Sequence, residues 1–462
     1  MKQNWTDQRI LIIGAARQGL ALARFLSARG AKVTLNDQRS PSQMQPVMDS
    51  LSGPNIRWAL GGHPLELLND TDLICVSGGV PLTLPILVQA LRRGIPLTND
   101  SQIFMDAVQA PVIGITGSAG KTTTTTLVGR IAQAACQSNG SRKAWVGGNI
   151  GLPLIEYVDQ IGPKDLVVIE FSSFQLELMT NSPRIAAVLN ITPNHLDRHK
   201  TLEAYTAAKA RILDYQAADD TAVLSREDPG SWDLRSRVRG RRITFGLNRP
   251  ESGPGTFVQN GFLYYTDGEK DIELIPREAI LLRGEHNLLN TLAACAIACA
   301  ANLPVDAIRA GINDFTGVAH RLEFVRSWNG VKWYNDSIAT APERTLAALN
   351  AFDEPLILLL GGRDKNLPWD KLAESVHQRV DHVMVFGEAA GIILQAIGSL
   401  RPGSRLKTIN HFEYMKDAVE AAAKAAQPGD VVLLSPGGTS FDEFKDFEER
   451  GERYREWVKA LS

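Results

Sequence analysis

The chain has 462 residues, 44% hydrophobic and 22% charged, enough to bury about three domain cores and too apolar for a disordered polymer. Lys and Arg number 49 against 51 Asp and Glu, and the net charge of -2 lacks the basic surface that nucleic-acid binders rely on. No apolar run approaches the roughly 18 residues of a membrane span, and the first residues do not resemble a signal peptide, so a cytoplasmic protein with no membrane or nucleic-acid partner is expected.

The string Arg9-Ile-Leu-Ile-Ile-Gly14 predicts a strand ending in glycine, residues 19–29 a helix, and Ala31-Lys-Val-Thr-Leu-Asn-Asp37 a second strand ending in an acid. Strand, glycine turn, helix and strand make a βαβ unit, the building block of parallel sheets. Leu73-Ile-Cys-Val-Ser77 predicts another strand, closed by Gly78-Gly79, and a boundary near Pro111 limits a first domain to residues 1–108. The strand over 112–116, a glycine loop and a helix over 121–135 open a second domain, residues 109–318. Its runs 166–170 and 185–191 are near-continuously apolar, as in strands buried on both faces. Short strands over 221–224, 242–245 and 262–265, separated by Gly, Pro and Asp turns, predict a small antiparallel patch, and a helix over 287–301 closes the domain. Residues 319–462 repeat the α/β rhythm with strands over 356–360, 382–386 and 431–435. The expected fold is α/β in three domains: Rossmann-like, P-loop ATPase-like with the antiparallel patch, and Rossmann-like again. Cys75, Cys136, Cys295 and Cys299 form no CxxC pair and read as buried thiols.

The chemistry is densest at Ile115-Thr-Gly117-Ser118-Ala119-Gly120-Lys121-Thr122-Thr123. Glycines there let backbone amides face a phosphate, and the helix N-terminus adds its dipole. Lys121 would reach the β- and γ-phosphates and the Thr122 hydroxyl would ligate Mg²⁺. Ile115 stands where the full pattern has its first glycine, so a glycine turn with an exposed lysine is the plain alternative. The strand–loop–helix context favours a nucleotide phosphate loop. The turn Gly14-Ala-Ala-Arg17-Gln18-Gly19 lacks the middle glycine of a dinucleotide fingerprint, although Asp37 follows at a suitable distance. A dinucleotide site, a UDP-type site and a purely structural turn all stay open. Glu170 and His195 follow two of the buried strands and read as ligands for metal, where a lone strand-end acid or histidine would more often be solvated. Lys209 reads, on composition, as an exposed helical lysine.

Together Gly117-Ser-Ala-Gly-Lys-Thr-Thr, Gly147-Gly-Asn149-Ile-Gly, Glu170-Phe-Ser-Ser-Phe-Gln-Leu-Glu, Asn194-His-Leu-Asp-Arg, Gly284-Glu-His-Asn287-Leu-Leu-Asn290, His320-Arg321, Asn335-Asp-Ser337, Leu434-Ser-Pro436 and Phe444-Lys-Asp-Phe447 resemble the Mur ligases, in order and over essentially the whole chain. The resemblance implies an ATP-dependent amide-forming ligase of peptidoglycan precursor synthesis, and Ser-Ser-Phe-Gln-Leu-Glu with Phe-Lys-Asp-Phe-Glu-Glu-Arg-Gly looks like the member that joins D-glutamate to UDP-N-acetylmuramoyl-L-alanine. It further implies ATP contacts from Gly117 to Thr123, from Asn287 and Asn290, and from Arg321 and Asp336 of the C-terminal domain. Lys121, His195 and Lys209 take the catalytic roles. Thr122, Glu170, His195 and Lys209 hold two Mg²⁺, with Lys209 matching a lysine that the family carbamylates. Arg17, Gln18, Asp37, Arg39 and Gly79, with Asn149, match UDP-sugar positions, and Thr340, Lys365, Ser440 and Phe447 match amino-acid positions. A departure from the family string puts Ile338 and Ala341 where relatives carry Lys and Asn, with Arg344 and Arg363 the replacement cations. The expected partners are these small molecules, and the expected state is a monomer. Addition of L-glutamate or another amino acid, folylpolyglutamate-type ligation and NAD-dependent oxidoreduction are the competing readings.

Overall fold

A computed structural model describes residues 4–51, 56–140, 142–149, 151 and 153–462. The chain divides into two compact units, Met1–Leu281 with Glu285–Phe315, and Leu282–Gly284 with Thr316–Ser462.

The first unit holds two sheets. In the first, β1 (Arg9–Ile13), β2 (Lys32–Asp37), β3 (Ile56–Leu60), β4 (Leu73–Val76) and β5 (Leu97–Thr98) lie in the order β3-β2-β1-β4-β5, all parallel. The strand order reverses at β1, so the loops leaving β1 and β4 flank the crevice where such sheets take ligands. Gly14 sits in that crevice at φ +100, and a Cβ on it would meet the Ser77 side chain.

The second sheet has nine strands: β6 (Val112–Thr116), β7 (Ala144–Gly148), β8 (Leu166–Glu170), β9 (Ile185–Val188), β10 (Thr221–Ser225), β11 (Arg241–Phe245), β12 (Gly255–Gln259), β13 (Phe262–Thr266) and β14 (Asp271–Pro276). Their order is β14-β13-β12-β11-β10-β9-β6-β8-β7. The antiparallel patch exists, but it comprises β12 to β14 only. β10 and β11, expected within it, pair parallel with each other and β10 pairs parallel with β9, which makes them part of the main sheet. The segment between them is long enough for a crossover and carries its own helix, Pro229–Asp233, whereas the turns at 260–261 and 267–270 only suit hairpins. β9 stops three residues short of the apolar run, because Asn190 leaves the ladder to bind the loop after β6.

The second unit is a mixed sheet of β15 (Glu323–Trp328), β16 (Val331–Asn335), β17 (Leu356–Gly361), β18 (His382–Phe386), β19 (Thr408–Phe412) and β20 (Val431–Gly437), in the order β15-β16-β20-β17-β18-β19. β15 and β16 form an antiparallel hairpin at one edge and the rest pair parallel. Side chains of alternate parity along β17 and β20 feed two cores, one on each face of the sheet. The short segment Leu282–Gly284 is tied to this unit by Arg283, whose guanidinium grips both Glu354 carboxylate oxygens at 2.8 and 2.9 Å and donates to the Tyr334 hydroxyl at 2.8 Å. Cys75, Cys136 and Cys295 are buried, and all four cysteines are free thiols. Among the described residues no helix is long and apolar enough to cross a membrane.

Candidate active site

β6 is buried throughout and delivers its last residue, Thr116, into a loop followed at once by the helix Lys121–Asn139. Asn190 braces the loop: its carbonyl accepts from Ser118 N at 3.0 Å and its side chain accepts from Ala119 N at 2.8 Å. Gly120 caps the helix at φ +77, and a Cβ there would collide with Oδ1 of Asn290. Asn290 is buried on the helix Glu285–Ala300 and donates to Asn287 Oδ1 at 3.1 Å, so both asparagines stand beside the phosphate loop. Thr123 is buried in the first helical turn, and the Thr122 hydroxyl donates to Glu170 Oε2 at 2.8 Å. Asn149 donates to the other oxygen, Oε1, at 2.9 Å. One strand-end carboxylate thus joins the loop after β7 to the phosphate-loop helix.

Lys209 is not exposed. The helix Leu202–Asp214 turns Tyr205, Lys209 and Leu213, spaced by four, toward the core, and Lys209 is 1% exposed. Its amine donates to Gly117 O at 2.9 Å and to Thr116 Oγ1 at 3.3 Å, and lies 4.7 Å from the Tyr205 ring centre. Burial pushes this amine well below the ordinary lysine range, the Lys121 charge adds to the shift, and Glu170 opposes it. Composition hid the residue; its place amid an apolar helical face was the available signal. His195 is exposed, in a left-handed conformation, with its ring edge on Phe174 at 5.2 Å.

Among the described residues no three His, Cys, Asp or Glu side chains gather as a metal cage. The hydroxyl and carboxylate of Thr122 and Glu170 nevertheless fit Mg²⁺, which prefers oxygen donors and is commonly held by one or two protein groups with substrate phosphate and water.

The residues expected for a UDP-sugar surround the crevice of the first sheet. Arg17 is exposed at the start of the helix Arg17–Ser27, and Gln18 donates to Gly148 O at 2.6 Å. Asp37 accepts from Ala15 N at 2.9 Å and from Arg39 Nη2 at 2.8 Å, and the Arg39 guanidinium holds its carboxyl far below the usual range. That carboxylate is already engaged by its own chain, which counts against a ribose contact of the dinucleotide kind. Gly79 is exposed in the turn after β4.

In the second unit Asp336 is buried, accepts from Ser435 Oγ at 2.8 Å and Leu322 N at 3.2 Å, and is pushed up to about 7, mainly by burial. Arg321 is exposed on the adjoining loop. Lys365 donates to Thr340 Oγ1 at 3.2 Å, and its amine is lowered by burial and by the charges of Arg344 and Arg450. Ser440 is buried, and Phe447, the first residue of the helix Phe447–Ala460, sets its ring edgewise to His320 at 6.1 Å. Of the two replacement cations, Arg363 is paired with both oxygens of Glu388 at 2.7 and 2.9 Å, while Arg344 reaches back to Ile338 O at 3.4 Å. Sequence reasoning passed over Arg450, which is fully buried and donates to Ser337 Oγ, Ser337 O and Gly438 O at 3.0, 2.8 and 3.1 Å. It joins the loops bearing Thr340 and Ser440; its place in the quoted string Phe-Lys-Asp-Phe-Glu-Glu-Arg-Gly was the only hint.

Residues 8–99, 115–298 and 320–438 match the family models described as "Mur ligase MurD-like, N-terminal domain", "Mur ligase middle domain" and "Mur ligase, glutamate ligase domain". The chain is 41% identical to the UDP-N-acetylmuramoylalanine--D-glutamate ligase of Symbiobacterium thermophilum over 99% of each chain. It is 39% identical to the protein of that name from Pelotomaculum thermopropionicum, over 100% of this chain and 99% of the other. In fold it is similar to the MurF ligase of Thermotoga maritima in complex with ADP, with a TM-score of 0.52, 17% identity and coverage of 100% and 98%. With a phosphate loop braced by Asn190 and Asn290, full-length likeness to named ligases and three matching domains, this chain belongs to the Mur ligase family of ATP-dependent, ADP-forming amide ligases.

Proposed function

We propose that this ligase joins D-glutamate to UDP-N-acetylmuramoyl-L-alanine, consuming ATP, in peptidoglycan precursor synthesis. The observation that carries the chemistry is the buried Glu170 carboxylate, which receives Thr122 and Asn149 beside the phosphate loop. The substrate assignment is supported by the names of the full-length relatives.

In this reading the alanine carboxylate attacks the γ-phosphorus of ATP and the bond to the ADP oxygen breaks, leaving an acyl phosphate. Loop amides and Lys121 face the phosphates, since phosphoryl transfer depends on positioning and on neutralising spread charge. The neutral glutamate amine then attacks the acyl carbon, loses a proton to solvent and expels phosphate. Mg²⁺, held by Thr122 and Glu170, supplies further neutralisation of phosphate charge when bound. A second ion would be held by His195 and by a carbamate on Lys209, a modification that the lowering of this amine by burial would favour. Arg17, Gln18, Asp37, Arg39, Gly79 and Asn149 serve the UDP-sugar. Arg321 and Asp336 serve ATP, and Thr340, Lys365, Ser440 and Phe447 receive the amino acid.

Phosphate release from Mg²⁺-ATP and UDP-N-acetylmuramoyl-L-alanine is to be compared with D-glutamate, L-glutamate and no amino acid. Release dependent on D-glutamate is expected. Release only with L-glutamate would overturn the stereochemistry, and none with either would overturn the substrate assignment.

A further inference from the structure

Arg198, in the segment after β9, is a cation that none of the assigned roles uses. Arg198 lies over the Phe174 ring, 4.5 Å from guanidinium carbon to ring centre. From there Nη1 donates to Gly79 O at 3.1 Å and Nη2 to Val80 O at 3.0 Å. A planar guanidinium can serve two neighbouring carbonyls at once, which a lysine ammonium on a flexible stem does less well. The accepting carbonyls belong to the tight turn after β4, closed by Val80 N on Ser77 O at 2.9 Å. Ser77 Oγ in turn donates to Gly14 O at 2.9 Å, in the turn that precedes Arg17 and Gln18.

The same ring leads the other way, to the phosphate loop. Phe174 stacks on His199 at 5.1 Å and meets the His195 edge at 5.2 Å. His199 packs against Tyr205 at 5.3 Å, and the Tyr205 hydroxyl bonds Ser118 Oγ at 3.0 Å. The contacts are continuous from the Gly79 turn, through Arg198 and Phe174, to Ser118.

We infer that Arg198 is a positioning residue: it fixes the turn at Gly79 and Val80 against the loop bearing His195, and so sets the UDP-sugar in register with the phosphate loop. This rests on the reading of Gly79 as a UDP-sugar position and Ser118 as an ATP position. Neither sheet depends on Arg198, because β4 ends at Val76 and β9 at Val188. Bonds from Gln18 to Gly148 O, from Asn99 to Gln175 O and from Arg24 to Glu156 join other parts of the segments carrying the two sheets, so loss of Arg198 leaves these attached and releases the turn at Gly79.

The test is steady-state kinetics of the full chain as wild type, Arg198→Ala, Arg198→Lys and Phe174→Leu, with melting temperatures alongside. Arg198→Ala is expected to raise KM for the UDP-sugar about tenfold or more while KM for ATP changes less than about twofold, because small misplacement of a reactant is strongly penalised. Arg198→Lys keeps the charge and one contact and recovers part of the loss; Phe174→Leu, which removes the ring that seats the guanidinium, shows part of it. Equal rises in both KM values, or wild-type kinetics in Arg198→Ala, would overturn the inference. If Arg198→Ala does not fold, the KM split in the other two variants decides by the same criterion. Absence of turnover in the wild type would overturn the substrate reading, and this inference with it.

Discussion

Lys209 donates its side-chain amine to the main-chain carbonyl of Gly117 across 2.9 Å, from a position with almost no exposure to solvent. One turn earlier on the same helix, the Tyr205 hydroxyl bonds Ser118, so a single helical face grips the phosphate loop at two consecutive residues. Burial and the Lys121 charge lower the amine well below the ordinary lysine range, which favours the neutral form that adds carbon dioxide. Lys209→Met and Lys209→Arg are both expected to lower kcat about 100-fold or more, the scale for losing a group that stabilises charge in the transition state. In buffer freed of carbon dioxide, bicarbonate is expected to stimulate the wild type and neither variant. Wild-type turnover in Lys209→Arg would show that a cation suffices there.

Gly120 and Asn290 occupy space that admits no added methyl. A Cβ at Gly120 would press on Asn290 Oδ1, and the left-handed φ of +77 penalises any L side chain by about 1 kcal/mol on its own. Gly120→Ala is therefore expected to raise KM for ATP about tenfold and lower the melting temperature. Adding Asn290→Ala relieves the collision but not the backbone strain, so melting recovers in part. Full additivity of the two losses would show that the residues do not meet.

The phosphate loop was legible in the sequence because its signals are local: an apolar strand, closely spaced glycines, a lysine and a helix in immediate succession. The buried strands β6, β8 and β17 were legible for the same reason. The direction of β10 and β11 was not, since parallel or antiparallel pairing depends on how the intervening chain crosses the sheet rather than on the strands' own residues. Buried charges were the other omission. Lys209 and Arg450 are tolerated in the interior only because carbonyls and hydroxyls from distant segments receive them. Nothing in their immediate neighbours records those partners.

Asp336 gives a pH-dependent test. Burial lifts its carboxyl from the ordinary aspartate range to about 7. Between about 4 and 7 the folded chain therefore holds a proton that the unfolded chain has released. The stability from this group is complete below the unfolded value and is lost as pH rises through the folded one. Asp336→Asn keeps the size and can still pair with Ser435 and Leu322, without the titration. Its melting temperature minus that of the wild type is expected to grow more positive from about pH 4 to about pH 8. A difference that does not change with pH would mean that Asp336 is ionised throughout.

In the proposed amino-acid pocket Ile338 stands where the family string has a lysine, and Arg344 is the proposed replacement cation. Arg363 cannot fill that role while Glu388 holds it on two bonds, whereas Arg344 bonds only weakly, at 3.4 Å, to the Ile338 carbonyl. Arg344 and Arg450 also depress the Lys365 amine, which puts three cations within electrostatic reach of one another beside Thr340. Such a cluster is relieved by a dicarboxylate, so glutamate binding should raise the Lys365 amine back toward its ordinary range and be weakened by salt. Arg344 is exposed, and Arg344→Ala should leave the melting temperature nearly unchanged. It is expected to raise KM for D-glutamate about tenfold, the loss of one charge-assisted contact, with KM for ATP unaffected. Ile338→Lys in the Arg344→Ala background should return most of that affinity, because a charge is put back where the family string has one. Arg344→Ala with an unchanged KM for D-glutamate would leave Lys365 as the cation that receives the substrate.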